Sequence, residues 1–167
     1  KAPPMPGLGD SEQTIRLQVA LIADGYFPPN NTNRVVIRLK KERKIGRMRW
    51  LLYGWPHKER VCATTGFRVF SFDAPYKEKE FGKRWWQCSR RELEIVADEV
   101  LHWDGAAPKG KRGGNFSSTS KASIDFVQYA MTVTGGSATT GEDVREGRTT
   151  CHYLTVNRKT TAGIKGV

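Results

Sequence analysis

The sequence predicts an α+β domain, built on a mainly antiparallel sheet of about seven strands with one well-marked helix near residues 89–104. Three observations lead there. Short apolar runs alternate with polar residues, Gly, Pro and Asn punctuate the gaps between them, and one longer amphipathic stretch opens on a capping signature. A chain of 167 residues fits one domain with a single core. At 38% hydrophobic and 10% aromatic residues it has the means to fold.

Residues 1–13, with Pro3, Pro4, Pro6, Gly7 and Gly9, read as a proline-rich flexible arm. In residues 14–22, Ile15, Leu17, Val19 and Leu21 alternate with Arg16, Gln18 and Ala20, a period of two that predicts a half-buried strand. Residues 34–40 repeat the pattern, with Val35, Ile37 and Leu39 on one face and Arg34, Arg38 and Lys40 on the other. Further strands are expected at residues 48–53, 66–73 and 83–88. The helix is announced by Ser89 with Glu92 three residues on, followed by a stripe of Leu93, Val96, Val100 and Leu101 and a stop at Gly105. Residues 106–120 read as a mobile basic loop. Strands are expected at residues 124–133 and 151–157, joined by a Gly/Thr-rich connection. Residues 14–157 thus form one basic domain and residues 158–167 a frayed tail, with no internal repeat.

Twenty-eight Lys and Arg against 17 Asp and Glu give a net charge of +11, and an acidic partner would relieve the self-repulsion. The excess concentrates at Arg34, Arg38, Lys40, Lys41, Arg43, Lys44, Arg47 and Arg49, opposed in that stretch only by Glu42. A second cluster comprises Lys109, Lys111, Arg112 and Lys121. One-signed charge of this kind suits a polyanion, though a lysine-rich solubilising edge has the same look. Trp50, Trp55, Trp85 and Trp86 are candidates for base stacking or oligomer contact, against the commoner role of core anchors.

Catalytic and metal patterns are absent. Cys62, Cys88 and Cys151 form no Cys-x-x-Cys pair, and the set His57, Cys62, Cys88, His102 matches no zinc-finger spacing. Cys151 and His152 are neighbours on a predicted strand and face opposite ways, which denies them a nucleophile–base geometry. No run approaches the roughly 18 apolar residues of a membrane span. A non-enzymatic protein with no cofactor and no metal is expected.

The stretch from Arg91 to Asp104, R-E-L-E-I-V-A-D-E-V-L-H-W-D, resembles the helix of rhabdovirus matrix proteins, and the basic glycine-containing loop and the Gly135-Gly136-Ser137 turn that follow extend the likeness. That resemblance implies a multimerising virion protein that binds ribonucleoprotein and the inner leaflet of an envelope. Residues 123–137, S-I-D-F-V-Q-Y-A-M-T-V-T-G-G-S, are similar to a strand of tombusvirus silencing suppressors, which implies duplex RNA as ligand. The expected function is therefore a viral structural or assembly protein, self-associating, in the virion or host cytoplasm, with RNA or ribonucleoprotein and anionic membrane as partners. An RNA-binding module or a viral coat protein is the alternative.

Overall fold

The computed structural model describes residues 5–29, 32–103 and 113–157. The element order is α1 (Glu12–Asp24), β1 (Gly25–Tyr26), β2 (Arg34–Leu39), α2 (Glu42–Leu51), β3 (His57–Val61), β4 (Arg68–Asp73), a short 3₁₀ helix (Lys83–Gln87), α3 (Arg90–Trp103), β5 (Gly113–Ser118), α4 (Lys121–Val133), β6 (Ser137–Asp143) and β7 (Cys151–Asn157). Both sheets are antiparallel: sheet A has the order β1-β2-β4-β3 and sheet B the order β5-β7-β6. The α+β class stands, and among the described residues the strands divide between two sheets and there are four α-helices instead of one.

The chain runs twice through the same plan. Helix, strand, helix and hairpin occur as α1-β2-α2-β3-β4 and again as α3-β5-α4-β6-β7, and the sheet orders β2-β4-β3 and β5-β7-β6 correspond strand for strand. A duplication invisible as a sequence repeat is therefore explicit in the topology.

The stretch read as a first strand is α1. Ser11 caps it by accepting from the Thr14 N–H, and Glu12 sits in the first turn. Ile15, Leu17, Gln18, Val19, Ala20, Leu21 and Ile22 are all buried, so the helix is enclosed on nearly every side and shows no 3.6-residue stripe. It stops at Gly25, whose N–H bonds Leu21 O. A Cβ there would lie 2.6 Å from that oxygen, so the sharp exit into β1 requires glycine.

Other expectations also give way. Residues 48–53 are the end of α2 and its following turn, with Ile45, Met48 and Leu51 turned inward at helical spacing. Residues 83–88 form the 3₁₀ helix, and the expected strand at 124–133 is α4, capped by Ser120 accepting from Ser123 N. The Gly/Thr-rich connection contains β6, and the basic loop ends in β5. β2 keeps its predicted alternation, with Val35, Ile37 and Leu39 buried. At the start of α3 the capping exchange is present: Glu92 accepts from Ser89 N at 2.7 Å, and Ser89 Oγ accepts from Glu92 N at 3.4 Å. The same carboxylate accepts from Leu8 N and Gly9 N, so this part of the proline-rich arm is tied to α3.

The helices cover one face of each sheet. Val35, Ile37, Phe70 and Phe72 come from sheet A, Phe116, Leu154 and Val156 from sheet B, and Phe81, Trp85 and Phe126 pack as an aromatic cluster in the same core.

At its centre α1 and α3 pack together around Glu99, a carboxylate with 0% exposure. Arg16 of α1 reaches it at 2.9 Å, Trp103 Nε1 donates to it at 2.7 Å, and Arg47 of α2 bonds both its oxygens. Burial opposes the Arg16 charge, yet the carboxylates of Asp98, Glu99 and Glu12 outweigh it and raise the guanidinium pKa. Glu99→Ala would leave Arg47 without its carboxylate partner and Arg16 held by Asp98 and Glu12 alone. We expect a loss of about 3–5 kcal/mol in urea unfolding, and a loss below ~1 kcal/mol would show that the cluster does not organise the helices.

Candidate nucleic-acid interface

The C-terminal ends of α1 and α3 meet, and α2 clamps them. Lys44 Nζ lies 2.5 Å from Asp24 Oδ2 at the last position of α1, and 6.0 Å from the centre of the Trp103 ring at the last position of α3. Arg43 Nη1 donates to His102 O at 2.6 Å. Behind Asp24, Lys79 Nζ donates to the Leu21 and Ile22 carbonyls, so the end of α1 carries two ammonium groups against its exposed carbonyl dipoles. From this junction the chain enters β1 and β2 on one side. On the other, Leu101 of α3 lies against Gly114 of β5, where a Cβ would come within 2.8 Å. A sheet thus stands on each side of the joined helix ends.

Sheet A turns its uncovered face to solvent. Register places Arg38, Val69 and Arg60 in one row across β2, β4 and β3, and Val36, Ser71 and Lys58 in the next, with Tyr26 beside Val36. Arg38, Lys58 and Arg60 have no acidic partner among the described residues, whereas Arg34 lies 3.5 Å from Asp73. Two shallow hollows indent this face. One of about 310 Å³ is lined by Asp24, Tyr26, Val36 and Arg38, and one of about 200 Å³ by Val36, Lys58, Arg60, Val69 and Ser71. The first joins the cationic face to the Asp24 carboxylate.

Sheet B is built alike and surfaced differently. Asn115, Thr155 and Thr139 form one outward row, and Ser117, Tyr153 and Gly141 the next, so those two rows carry no cation.

The basic segment of the sequence therefore separates in space. Arg34 and Arg38 are on the open face of sheet A; Lys40 and Lys41 are exposed at the turn into α2. Lys44 and Arg47 point into the helix packing, on Asp24 and Glu99, and Arg49 pairs with Glu59 at 2.7 Å. Lys121 pairs with Asp125 within α4. Lys109, Lys111 and Arg112 lie outside the described residues. Of the tryptophans, Trp85 is fully buried and Trp55 donates to Asp73 O. Trp86 packs on Phe126 and Tyr129, and Trp50, 58% exposed, is covered by Arg47 at 4.3 Å. Lys58 and Arg60 were missed, although Lys58 and Arg60 alternate with His57, Glu59 and Val61 in strand fashion.

Among the described residues, the metal-type grouping is Asp98, Glu99 and His102, with ligand atoms within 4.8 Å of one another. Arg16 bonds both carboxylates and Arg47 bonds Glu99, so arginines already neutralise the charge a cation would seek. Cys88 is an inert core thiol, its pKa pushed up to about 12 by burial.

No protein-family model and no curated protein matches the sequence. Solved structures do. The N-terminal LAGLIDADG domain of DUF199/WhiA superposes with a TM-score of 0.61 at 10% identity, covering 92% of this chain and 79% of that one. Mesophilic variants of the homing endonuclease I-DmoI give 0.58 at 15% identity, over 87% and 88% of the two chains. Full-length WhiA from Thermatoga maritima gives 0.61 at 11% identity, over 88% of this chain and 52% of that one. The fold is thus the LAGLIDADG fold, here two αβαββ halves around the α1–α3 helix pair. These neighbours overturn the rhabdovirus matrix resemblance, and with it the viral structural, coat and virion reading; the stretch that suggested it, residues 91–104, holds the second central helix. Among the described residues no helix is long and apolar enough to cross a membrane.

The name of the fold spells a nonapeptide ending in Ala-Asp-Gly, and α1 runs out through Ala23-Asp24-Gly25. Asp104-Gly105 follows α3 in the sequence in the same way. That repeated doublet was the signal available for pairing the two helices.

His102, beside this junction, has a lowered pKa, first through burial and then through the Arg47 charge, with Glu99 and Asp98 opposing. Its native form is neutral. Stability tied to it is complete above the ordinary imidazole value near 6.5, falls as pH drops below that value, and levels off below the folded pKa. An NMR titration should place His102 below free histidine, and His102→Gln should remove that part of the acid-side loss.

Proposed function

We propose that the chain is a duplex-DNA-binding protein that straddles the double helix with the open faces of its two sheets and cleaves it at the joined ends of α1 and α3. The observation that carries this reading is the run of unpaired cations, Arg38, Lys58 and Arg60, on a solvent-facing sheet that leads into the hollow at Asp24. A twisted antiparallel ribbon fits the major groove, where cations displace the phosphate counterions and side chains reach base edges. Support also comes from the neighbours: I-DmoI is a homing endonuclease, solved with DNA and Mn and with DNA and Ca.

The chemistry at the junction follows from its donors. Asp24 offers a hard carboxylate oxygen, since Lys44 engages Oδ2 and Oδ1 has no partner among the described residues. Such a donor fits a divalent cation, which when bound would polarise a phosphate oxygen and lower the pKa of water. Asp24 would hold it. Lys44 orients the Asp24 carboxylate and sets a fixed positive charge where a phosphodiester gains negative charge in the transition state. This reading departs from the non-enzymatic protein expected from composition.

Two measurements test it. Binding to a random duplex should weaken steeply with salt, and replacing both Lys40 and Lys41 by Ala should lower the log–log slope by about 2 while weakening all sequences alike. Binding that is absent at low salt, or insensitive to salt, would defeat the proposal. Incubated with a randomised duplex library and Mg²⁺ or Mn²⁺, the wild type should cut a subset of members, and Asp24→Asn should retain duplex affinity while losing cleavage. A wild type that binds duplex and cuts nothing would remove the catalytic half of the reading and leave the binding half.

A further inference from the structure

The two halves share a frame, which allows their outward side chains to be compared position by position. Matching β2-β4-β3 onto β5-β7-β6 places Ser117 where the first half has Arg38, Gly141 where it has Arg60, and Thr139 where it has Lys58. Every unpaired cation of the first sheet face is thus replaced by a small uncharged residue in the second. The substitution is systematic across two rows, and these residues face away from the core. Packing does not dictate it.

Resting on the duplex-DNA reading above, we infer the base preference of each sheet face: guanine edges for sheet A, and A·T-leaning edges for sheet B. Donor and acceptor matching sets this preference. Arginine and lysine are donors only, and in the major groove guanine presents two adjacent acceptors, N7 and O6, whereas adenine and cytosine each present an amino donor. A face carrying Arg38, Lys58 and Arg60 is therefore complementary to guanine edges and mismatched to amino groups. Asp73, the acid that the described strand residues contribute to that face, is occupied by Arg34.

Sheet B offers the opposite set. Asn115, Ser117, Thr139 and Tyr153 are exposed, Thr155 is half-buried, and none of the five hydrogen-bonds through its side chain among the described residues. Each can donate and accept. Asparagine pairs with adenine N6 and N7 in a bidentate manner, and threonine methyls contact the thymine methyl. Tyr153 holds its place because Gly141 opposite it has no side chain: a Cβ there would lie 2.4 Å from the tyrosine ring. Glycine at this position thus removes a possible charge and makes room for a neutral aromatic.

The test is selection of the full chain against a randomised duplex pool without divalent metal, with sequencing of the retained fraction. A non-palindromic motif with guanines concentrated in one half is expected. Arg38→Ala and Arg60→Ala should each reduce guanine preference in that half by about tenfold and leave the other half unchanged. Asn115→Ala should do the reverse. All three side chains are exposed, and circular dichroism on each variant checks that the fold is kept. A palindromic motif, a guanine-free motif, or variants that weaken every sequence equally would overturn the inference while leaving duplex binding intact. Failure of the wild type to retain any duplex would instead overturn the proposed function itself.

Discussion

Everything in this molecule is arranged around a carboxylate that water does not reach. Glu99 receives Arg16 from α1, Arg47 from α2 and the indole of its own helix neighbour Trp103, so three helices are referred to a single point. A buried carboxylate with one partner removed costs several kcal/mol, because the charge left behind is unsolvated. The helices consequently have little freedom to slide past one another. From that point α1 continues two turns to Asp24 and α3 one turn to Trp103, which brings their ends side by side. Lys44 and Arg43, one turn before Arg47 on α2, then fall on those ends. The sheets start where the helices stop, so their separation and orientation derive from the same cluster.

This dependence explains why linear charge density is a poor guide to the surface here. The segment carrying most of the net charge in the sequence divides, with Lys44 and Arg47 turned into the helix packing, Arg49 paired at the surface, and Arg38, Lys40 and Lys41 exposed. Lys44 engages one oxygen of Asp24, Arg47 joins Glu99, and Arg49 pairs with Glu59 of β3. On the open face of sheet A, the cations without an acidic partner among the described residues are assembled from elements distant in sequence, with Arg38 from β2 and Lys58 and Arg60 from β3, which are adjacent only through β4. A cation in a helix that contacts acidic neighbours supports the fold. A cation on the uncovered face of a sheet is available to a ligand.

The parts legible in the sequence were those in which local rules act alone. α3 has a reciprocal cap and an amphipathic stripe, and β2 alternates cleanly because one of its faces is wet. α1 misled because burial on nearly all sides erases the helical period, and the residual alternation of Ile15, Leu17, Val19 and Leu21 imitates a strand. α4 misled through composition: Ile124, Phe126 and Val127 favour strands intrinsically, and the Ser120 cap with tertiary packing overrides that preference. For the site, Arg34 and Arg38 could be placed on a wet face from β2 alone, but Asp24 acquires meaning only beside Lys44 and the end of α3. Beyond the doublets Asp24-Gly25 and Asp104-Gly105 in the sequence, no local pattern encodes that meeting.

The absence of an internal sequence repeat from a twice-used fold follows from where the fold places its demands. The topology asks for apolar residues on the inner face of each sheet, for caps, and for glycine at a tight exit such as Gly25. Many sequences meet those demands, so two halves can diverge without losing the frame. The outward rows are under none of them. A symmetric dimer of identical subunits must present the same residues on both sides of its axis. One chain carrying both halves is free of that obligation, and the replacement of Arg38, Lys58 and Arg60 by Ser117, Thr139 and Gly141 shows the freedom used at the positions that face outward. The inner cluster around Glu99 holds the frame fixed, and this allows the two outer faces to differ.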